Sequence, residues 1–344
     1  MHVPTVREAK WLRFARSVFG ALPAVTVRYS RVSRKVLATI ADLIEDCETS
    51  NRRVCMIIED SPSACILPDI RKRFPNLHVA VRSENLLTQA FADFAARGSL
   101  VQRLPWKIEV RKIMRFEKAV CLSADRLWAI TKAEAEEYEK RLSIRPHGVV
   151  GVSMDAGHYS EVNSGAHNTV VHVGRADLRK GRGLTDFIKQ AWPAIRLRVP
   201  DARLVLGGQG TGRFADRRLG IEGLGFVEDD RDVLGQGLIF LNPQRIGAGL
   251  QVKSVVAMLA GKALVSTRMA IEGVEGRDGE HFFVADSPEE MIERIVGLID
   301  NSGLAERAGQ SARALAARVY SHDYMARTAR PLIEEFAALG ARIE

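Results

Sequence analysis

Two short stretches of this 344-residue chain carry the cations and glycines that an anion seat requires. In V-V-H-V-G-R-A-D-L-R-K-G (Val170–Gly181) an apolar run leads into Gly174, Arg175 and Lys180. In P-Q-R-I-G-A-G-L-Q-V-K (Pro243–Lys253), Arg245 precedes Gly247, Ala248, Gly249 and Leu250, and Lys253 lies one turn into the helix that should follow. Backbone N–H groups can approach an anion closely at such glycines, and a helix N-terminus adds a partial positive charge. Arginine and lysine add full charges, so the set reads as a candidate phosphate seat. The same residues also read as a tight crossover turn and a pair of surface cations in a basic loop.

The elements that must position these loops follow from the apolar pattern. Leu238–Leu241 predicts a strand, Leu250–Leu259 a helix that Gly261 ends, and Ala263–Ser266 a second strand. In a parallel sheet the loop of such a unit lies at the carboxyl end of a strand, where open α/β sheets hold their ligands. Further strands are predicted at Val54–Ile58, Leu77–Val81, Leu127–Ile130 and, with weaker patterning, Gly148–Val152. Helices fall at Val36–Ile44, Ser63–Phe74, Asn85–Arg97 and Pro105–Leu122, and three more close the chain at Pro288–Leu298, Gly303–Val319 and Tyr324–Leu339. The polar run Asp42–Asn51 should end the first helix, and Glu161–Asn168 reads as an interdomain linker. Alternating strands and helices imply an α/β fold, and the length implies two domains.

Composition narrows the class. Hydrophobic residues make up 46% and charged residues 27%, as in an ordinary globular protein. No apolar run is long enough to span a bilayer, and Arg13, Arg16 and Arg28 interrupt any signal peptide. Cys47, Cys55, Cys65 and Cys121 form no C-x-x-C pair, so reduced thiols in a cytoplasmic protein are expected rather than zinc or a redox dithiol. The formal charge is +8, and eight of the basic side chains fall within residues 1–35 against a single acid, Glu8. There Trp11, Phe14, Ala15, Val18, Phe19 and Leu22 recur at helical spacing beside arginines. Such a helix suits an anionic membrane surface, which implies a peripheral place on its cytoplasmic face, and equally suits docking on its own domain. No recognition motif accompanies the charge, so nucleic acid is not an expected partner.

The second half of the chain resembles the C-terminal domain of glycosyltransferase family 4, the glycosyl transferases group 1. The resemblance rests on Val170–Gly181, A-R-L-V-L-G-G-Q-G (Ala202–Gly210), G-L-G-F-V-E-D-D (Gly223–Asp230), Pro243–Lys253, A-M-L-A-G-K-A-L-V-S-T (Ala257–Thr267) and E-G-V (Glu272–Val274), in the family's order. In the first half, L-H-V-A-V-R-S-E-N-L-L (Leu77–Leu87), R-L-W-A-I-T-K-A-E-A (Arg126–Ala135) and V-G-V-S-M-D-A-G-H-Y (Val150–Tyr159) are similar to the strands that lead to the family's hinge. The resemblance implies a GT-B fold, two Rossmann-like domains facing across a cleft. An N-terminal acceptor domain would cover residues 1–160, a nucleotide-sugar domain 161–320, and a C-terminal helix 321–344 would cross back to the first. The family's opening strand, glycine loop and helix have no counterpart, so the first domain is expected to be abbreviated or completed by a partner subunit.

The resemblance further implies a metal-independent, retaining transfer of a sugar from a UDP- or GDP-sugar to a glycan or lipid-linked acceptor. Arg175 and Lys180 would contact the diphosphate, with Gly174, Gly247, Ala248, Gly249, Leu250, Arg245 and Lys253 around it. Phe226 and Val227 would hold the base, although they also read as a buried strand end. Three positions depart from the family. Its Glu-x7-Glu pair falls on Ala248 and Val256, and the second of those carboxylates normally accepts the ribose hydroxyls. Losing such a charge-assisted bond weakens donor binding by roughly 1.5–3 kcal/mol, about tenfold to a hundredfold. The family's histidine in R-x-H-N falls on Glu84, with Asn85 retained. Glu84 is therefore either a base for an acceptor hydroxyl, if burial raises its pKa, or a structural carboxylate at a helix N-terminus. These departures also fit a different protein, a weak or inactive GT-B chain that binds another glycosyltransferase.

Overall fold

The computed structural model describes residues 33–49, 54–96, 100–176, 181–247 and 249–339, together with Pro23 and Thr26. Lys180, Ala248 and the basic segment before Pro23 lie outside the described residues. The described residues form two compact units, one of residues up to Gly151 with those from Ala326 onward, the other Val152–Met325.

The first unit runs α1 (Ser33–Thr49), β1 (Cys55–Glu59), a 3-10 turn (Ser61–Ile66), α2 (Leu67–Arg73), β2 (His78–Ser83), α3 (Leu87–Ala96), α4 (Leu100–Ser123), β3 (Arg126–Ala129), α5 (Lys132–Leu142) and β4 (Gly148–Val149). Its four strands are parallel in the order β1-β2-β3-β4, with Ile57 beside Ala80 and Val81 beside Leu127. Leu67, Ile70, Val79, Val81, Leu86, Leu127 and Tyr138 form its core. Trp128 is buried edge-on against Phe336, with ring centroids 5.6 Å apart. Two boundaries differ from expectation. The acidic patch does not stop α1, which continues to Thr49 because those polar side chains sit on its exposed faces. The long helix α4 begins at Leu100, ahead of Pro105.

The second unit runs α6 (Ala156–Ser160), β5 (Ala166–Val173), α7 (Arg182–Gln190), α8 (Trp192–Arg198), β6 (Arg203–Gly207), β7 (Ile221–Gly225), α9 (Arg231–Leu234), β8 (Gly237–Asn242), α10 (Val252–Leu259), β9 (Ala263–Ser266), β10 (Phe283–Val284), α11 (Pro288–Asp300), α12 (Ser302–Val319) and the start of α13 (His322–Leu339). Its sheet has six parallel strands in the order β10-β9-β8-β5-β6-β7. Strand alternation sends Ile239 and Leu241 to a core with Leu184, Phe187, Trp192, Ile195, Met291 and Ile295, while Phe240 joins Val255, Met258, Leu259, Ala312 and Ala316 in another. Helices therefore cover both faces, which is why the strands read as unbroken apolar runs. The polar run Glu161–Asn168 falls inside this unit. Val162 is buried there, and the fully buried Lys262 donates to the carbonyls of Asn163 and Ser164 at 2.5 and 3.0 Å.

Candidate anion site at the switch point of the second sheet

Chain order fixes where this sheet opens. From β5 the chain steps outward through β6 to β7, then returns to the other side of β5 as β8 and steps outward again through β9 to β10. Neighbouring crossovers leave in opposite directions at β5 and β8, so a crevice forms beyond their carboxyl ends. The segments that follow those two strands are the two stretches singled out by their cations and glycines.

The loop after β5 is stitched to its neighbour. The Gly174 amide donates to the Gly207 carbonyl at 2.9 Å, and that of Ala176 to Gln209 at 2.9 Å. The Gly208 amide donates to the Gly225 carbonyl at 2.6 Å. Arg175 follows Gly174 with its side chain exposed.

After β8, Asn242 Nδ2 donates to Ser254 Oγ at 2.8 Å, and Ser254 Oγ to the Ala270 carbonyl at 2.8 Å, which pins the first turn of α10. Thr267 Oγ1 bonds the Gln244 carbonyl and ties the end of β9 to the same loop. Gly247 and Gly249 have φ of 150° and 76°, values that favour glycine and let the chain turn sharply into the helix. Gln251 caps α10 without a side-chain hydrogen bond, so the positive end of the helix dipole meets the loop with no acidic residue in its first turn. Arg245 and Leu250 are half-buried in this loop.

The two segments meet. A Cβ built on Gly174 would lie 3.4 Å from Lys253 Nζ and 3.2 Å from His172 Nε2, so the bare glycine leaves a space that both nitrogens border. Lys253 Nζ also lies 3.5 Å from Gln244 Oε1. His172 is buried, with Nδ1 2.8 Å from the Leu241 carbonyl on β8. Burial first, and the Lys253 charge second, push its pKa down to about 3, so the imidazole is neutral near neutral pH.

Of the predicted site residues, Gly174, Arg175, Arg245, Gly247, Gly249, Leu250 and Lys253 therefore share one sheet edge. Phe226 and Val227 follow β7 on the same edge. Phe226 is 77% exposed, so it is not a buried strand end, while Val227 packs against the core shared with Phe240. Val256 is buried in that same core. His172 and Gln244 were missed by sequence reasoning. Both lie inside the quoted motifs, but a histidine among valines and a glutamine after proline carry no spacing signal.

Glu84 belongs to the first unit, where it follows β2 with its side chain exposed. At the N-terminus of the helix that follows, Glu117 accepts from the amides of Leu87 and Thr88 at 2.7 and 2.8 Å and from Thr88 Oγ1 at 2.5 Å. Elsewhere in the second unit, one metal-ligand cluster forms among the described residues, His158 with Asp229 and Asp230, their ligand atoms within 4.8 Å. Arg231 already occupies both oxygens of Asp229, at 2.8 and 3.0 Å from Nε.

Comparison with known proteins agrees with this architecture. Residues 167–301 match the family model described as glycosyl transferases group 1. An uncharacterized 44.6 kDa protein in a cps region of Klebsiella pneumoniae is 24% identical over 231 residues, covering 63% of this chain and 58% of that protein. The chain thus spans less than two thirds of that relative. Among solved structures, S. aureus TarM superposes with a TM-score of 0.63 at 13% identity, over 83% of this chain and 54% of its own. Sucrose-phosphate synthase from Thermosynechococcus elongatus gives 0.67 at 14% identity, over 90% and 80% of the two chains. Anabaena HepE in complex with UDP gives 0.59 at 15%, over 87% and 82%. The two parallel-sheet units have the GT-B fold, and within the second of them residues 167–301 match the model of the glycosyl transferases group 1.

Proposed function

We propose that the chain is a retaining glycosyltransferase that moves a sugar from a UDP- or GDP-sugar to a glycan or lipid-linked acceptor without a metal ion. The observation that carries this reading is the meeting of Gly174 and Lys253 beyond the switch point of a group 1 domain. The Gly247–Leu250 amides and Lys253 seat the diphosphate, while Arg175, Arg245 and Lys180 supply further charge. As the anomeric carbon–oxygen bond breaks, that charge stabilises the leaving diphosphate, and the acceptor oxygen bonds the same face of the sugar. Phe226 and Val227 hold the base. Glu84 is the proposed base for the acceptor hydroxyl, although its own unit leaves it exposed rather than buried. Acceptor binding is assigned to the first domain, and the basic segment within residues 1–35 to an anionic membrane surface on the cytoplasmic side.

UDP, which HepE carries in its structure, is the first ligand to try, with GDP beside it. Calorimetry should detect binding, and Arg175→Ala should weaken it by about tenfold or more. No heat with either nucleotide removes the first step of the proposed reaction. Val256 supports a second reading. With an apolar residue where the family's ribose carboxylate stands, donor affinity drops, and the chain then serves as a weak or inactive partner of another glycosyltransferase. Binding without turnover in the presence of a glycan acceptor would favour that reading.

A further inference from the structure

The proposed donor site contains one buried group with no role in it so far. His172 sits on β5 two residues before Gly174, inside the sheet, where a valine or leucine would pack as well. A carbonyl oxygen only accepts, so the 2.8 Å contact with Leu241 puts the imidazole proton on Nδ1 and leaves a lone pair on Nε2. That lone pair borders the space above Gly174, and Lys253 Nζ borders the same space. An unshielded lone pair facing a diphosphate would repel it. A cation between the two removes the repulsion and is itself oriented by it.

We propose that His172 is a positioning residue for the diphosphate seat, its Nε2 accepting from the Lys253 ammonium and holding that cation over Gly174. The inference rests on the donor-site reading above and adds to it a residue that acts only through lysine. Neutrality of the ring is essential, because an imidazolium would present a proton and a second charge to the ammonium. The depressed pKa of His172 matches that need across the neutral range. The device also accounts for the glycine. A methyl group at position 174 would stand in the space where histidine, lysine and anion converge.

The test compares His172→Phe, His172→Gln and Lys253→Ala, each as the full chain, by calorimetry with UDP and with uridine. Phenylalanine keeps the ring packing beside Phe240 and loses the acceptor, whereas glutamine offers an amide oxygen at a similar reach. His172→Phe should weaken UDP about tenfold and leave uridine unchanged. His172→Gln should recover most of that loss, and His172→Phe added to Lys253→Ala should weaken UDP little further. Equal losses for UDP and uridine, or fully additive losses with Lys253→Ala, would make His172 a packing residue and overturn the proposal. Long-range 15N spectra of the imidazole give a readout that needs no nucleotide. Nε2 should be unprotonated in the wild type and should shift on Lys253→Ala. A protonated Nε2, or no shift, overturns the pairing even where UDP binds. If wild-type protein binds no nucleotide, the donor-site reading fails, and the spectra alone decide whether the pair exists.

Discussion

The carboxyl ends of the two sheets were treated differently. In the first unit the strands follow chain order, β1-β2-β3-β4, so among the described residues no crossovers part in opposite directions and no crevice opens by topology. Its strand ends are filled from within instead. Tyr138 donates to Ser83 Oγ at 2.7 Å, Ser61 Oγ lies 3.1 Å from the same oxygen, and Glu134 accepts from the Ile130 amide at 2.9 Å. In the second unit the order reverses at β5; Asn242 and Ser254 are buried beneath the loop after β8, while the exposed Arg175 and the Lys253 ammonium stand beside the bare Gly174. The contrast shows that a site is made twice, once by strand order and again by side chains left out of the gap.

Filling the gap is the strongest way to break the contrast. A Cβ on Gly208 would collide with the Gly174 carbonyl, and the residue has φ of 121°, which L side chains rarely adopt. Gly208→Ala should therefore destabilise the second unit by roughly 3 kcal/mol or more, while leaving the first unaffected. Hydrogen exchange resolves the two. Amides of β5 and β6 should lose protection and those of β2 and β3 should keep theirs.

A second effect sharpens the contrast through protons. In the first unit burial raises the pKa of Glu117 and of Glu134 to about 7 each. Folded, they hold protons that the unfolded chain gives up near its ordinary carboxyl pKa. Their stabilising contribution is therefore full below about pH 4.5 and declines as pH rises through about 7. In the second unit burial lowers His172 to about 3 and Lys262 to about 7. There the unfolded chain binds more protons, so stability falls as pH drops from the lysine's ordinary pKa toward 7, and again below the ordinary histidine value. Moving from pH 8 to pH 5.5 should strengthen protection in β2 and β3 and weaken it in β5 and β8, by on the order of 3 kcal/mol in each direction with both groups of each unit counted. Glu134→Gln should flatten the first response and Lys262→Met the second. Parallel responses in the two units would show that these buried groups do not govern the pH dependence.

How much of this could be read from the sequence follows the same division. Strands β8 and β9 with α10 between them were legible because both sheet faces are covered, which leaves continuous apolar runs punctuated by glycine. The switch point followed once the strands were ordered. Glu117 was not legible, since it reaches the N-terminus of α3 from α4, and no local spacing links residue 117 to residues 87 and 88. His172 was hidden for a related reason. Its neighbours, the Leu241 carbonyl and Lys253, come from another strand and another helix, and a strand-borne histidine announces neither. Motif glycines declare themselves through backbone geometry, whereas buried polar groups depend on contacts that only the fold brings together.

Phe226 offers the mildest perturbation and the cleanest reading. At 77% exposure it contributes little to the core, so Phe226→Ala should leave unfolding within about 0.5 kcal/mol of wild type. An aromatic ring left in solvent at the carboxyl end of β7 retains its value only if something stacks on it, and the base of a nucleotide has the required face. UDP affinity should then fall by a few-fold, roughly 0.5–1.5 kcal/mol, and uridine affinity by the same factor, because the lost contact does not involve phosphate. That pattern is the opposite of the one expected for His172, where UDP alone responds. Equal affinities for wild type and Phe226→Ala would place the base elsewhere on the edge and confine the recognisable part of the site to β5 and β8.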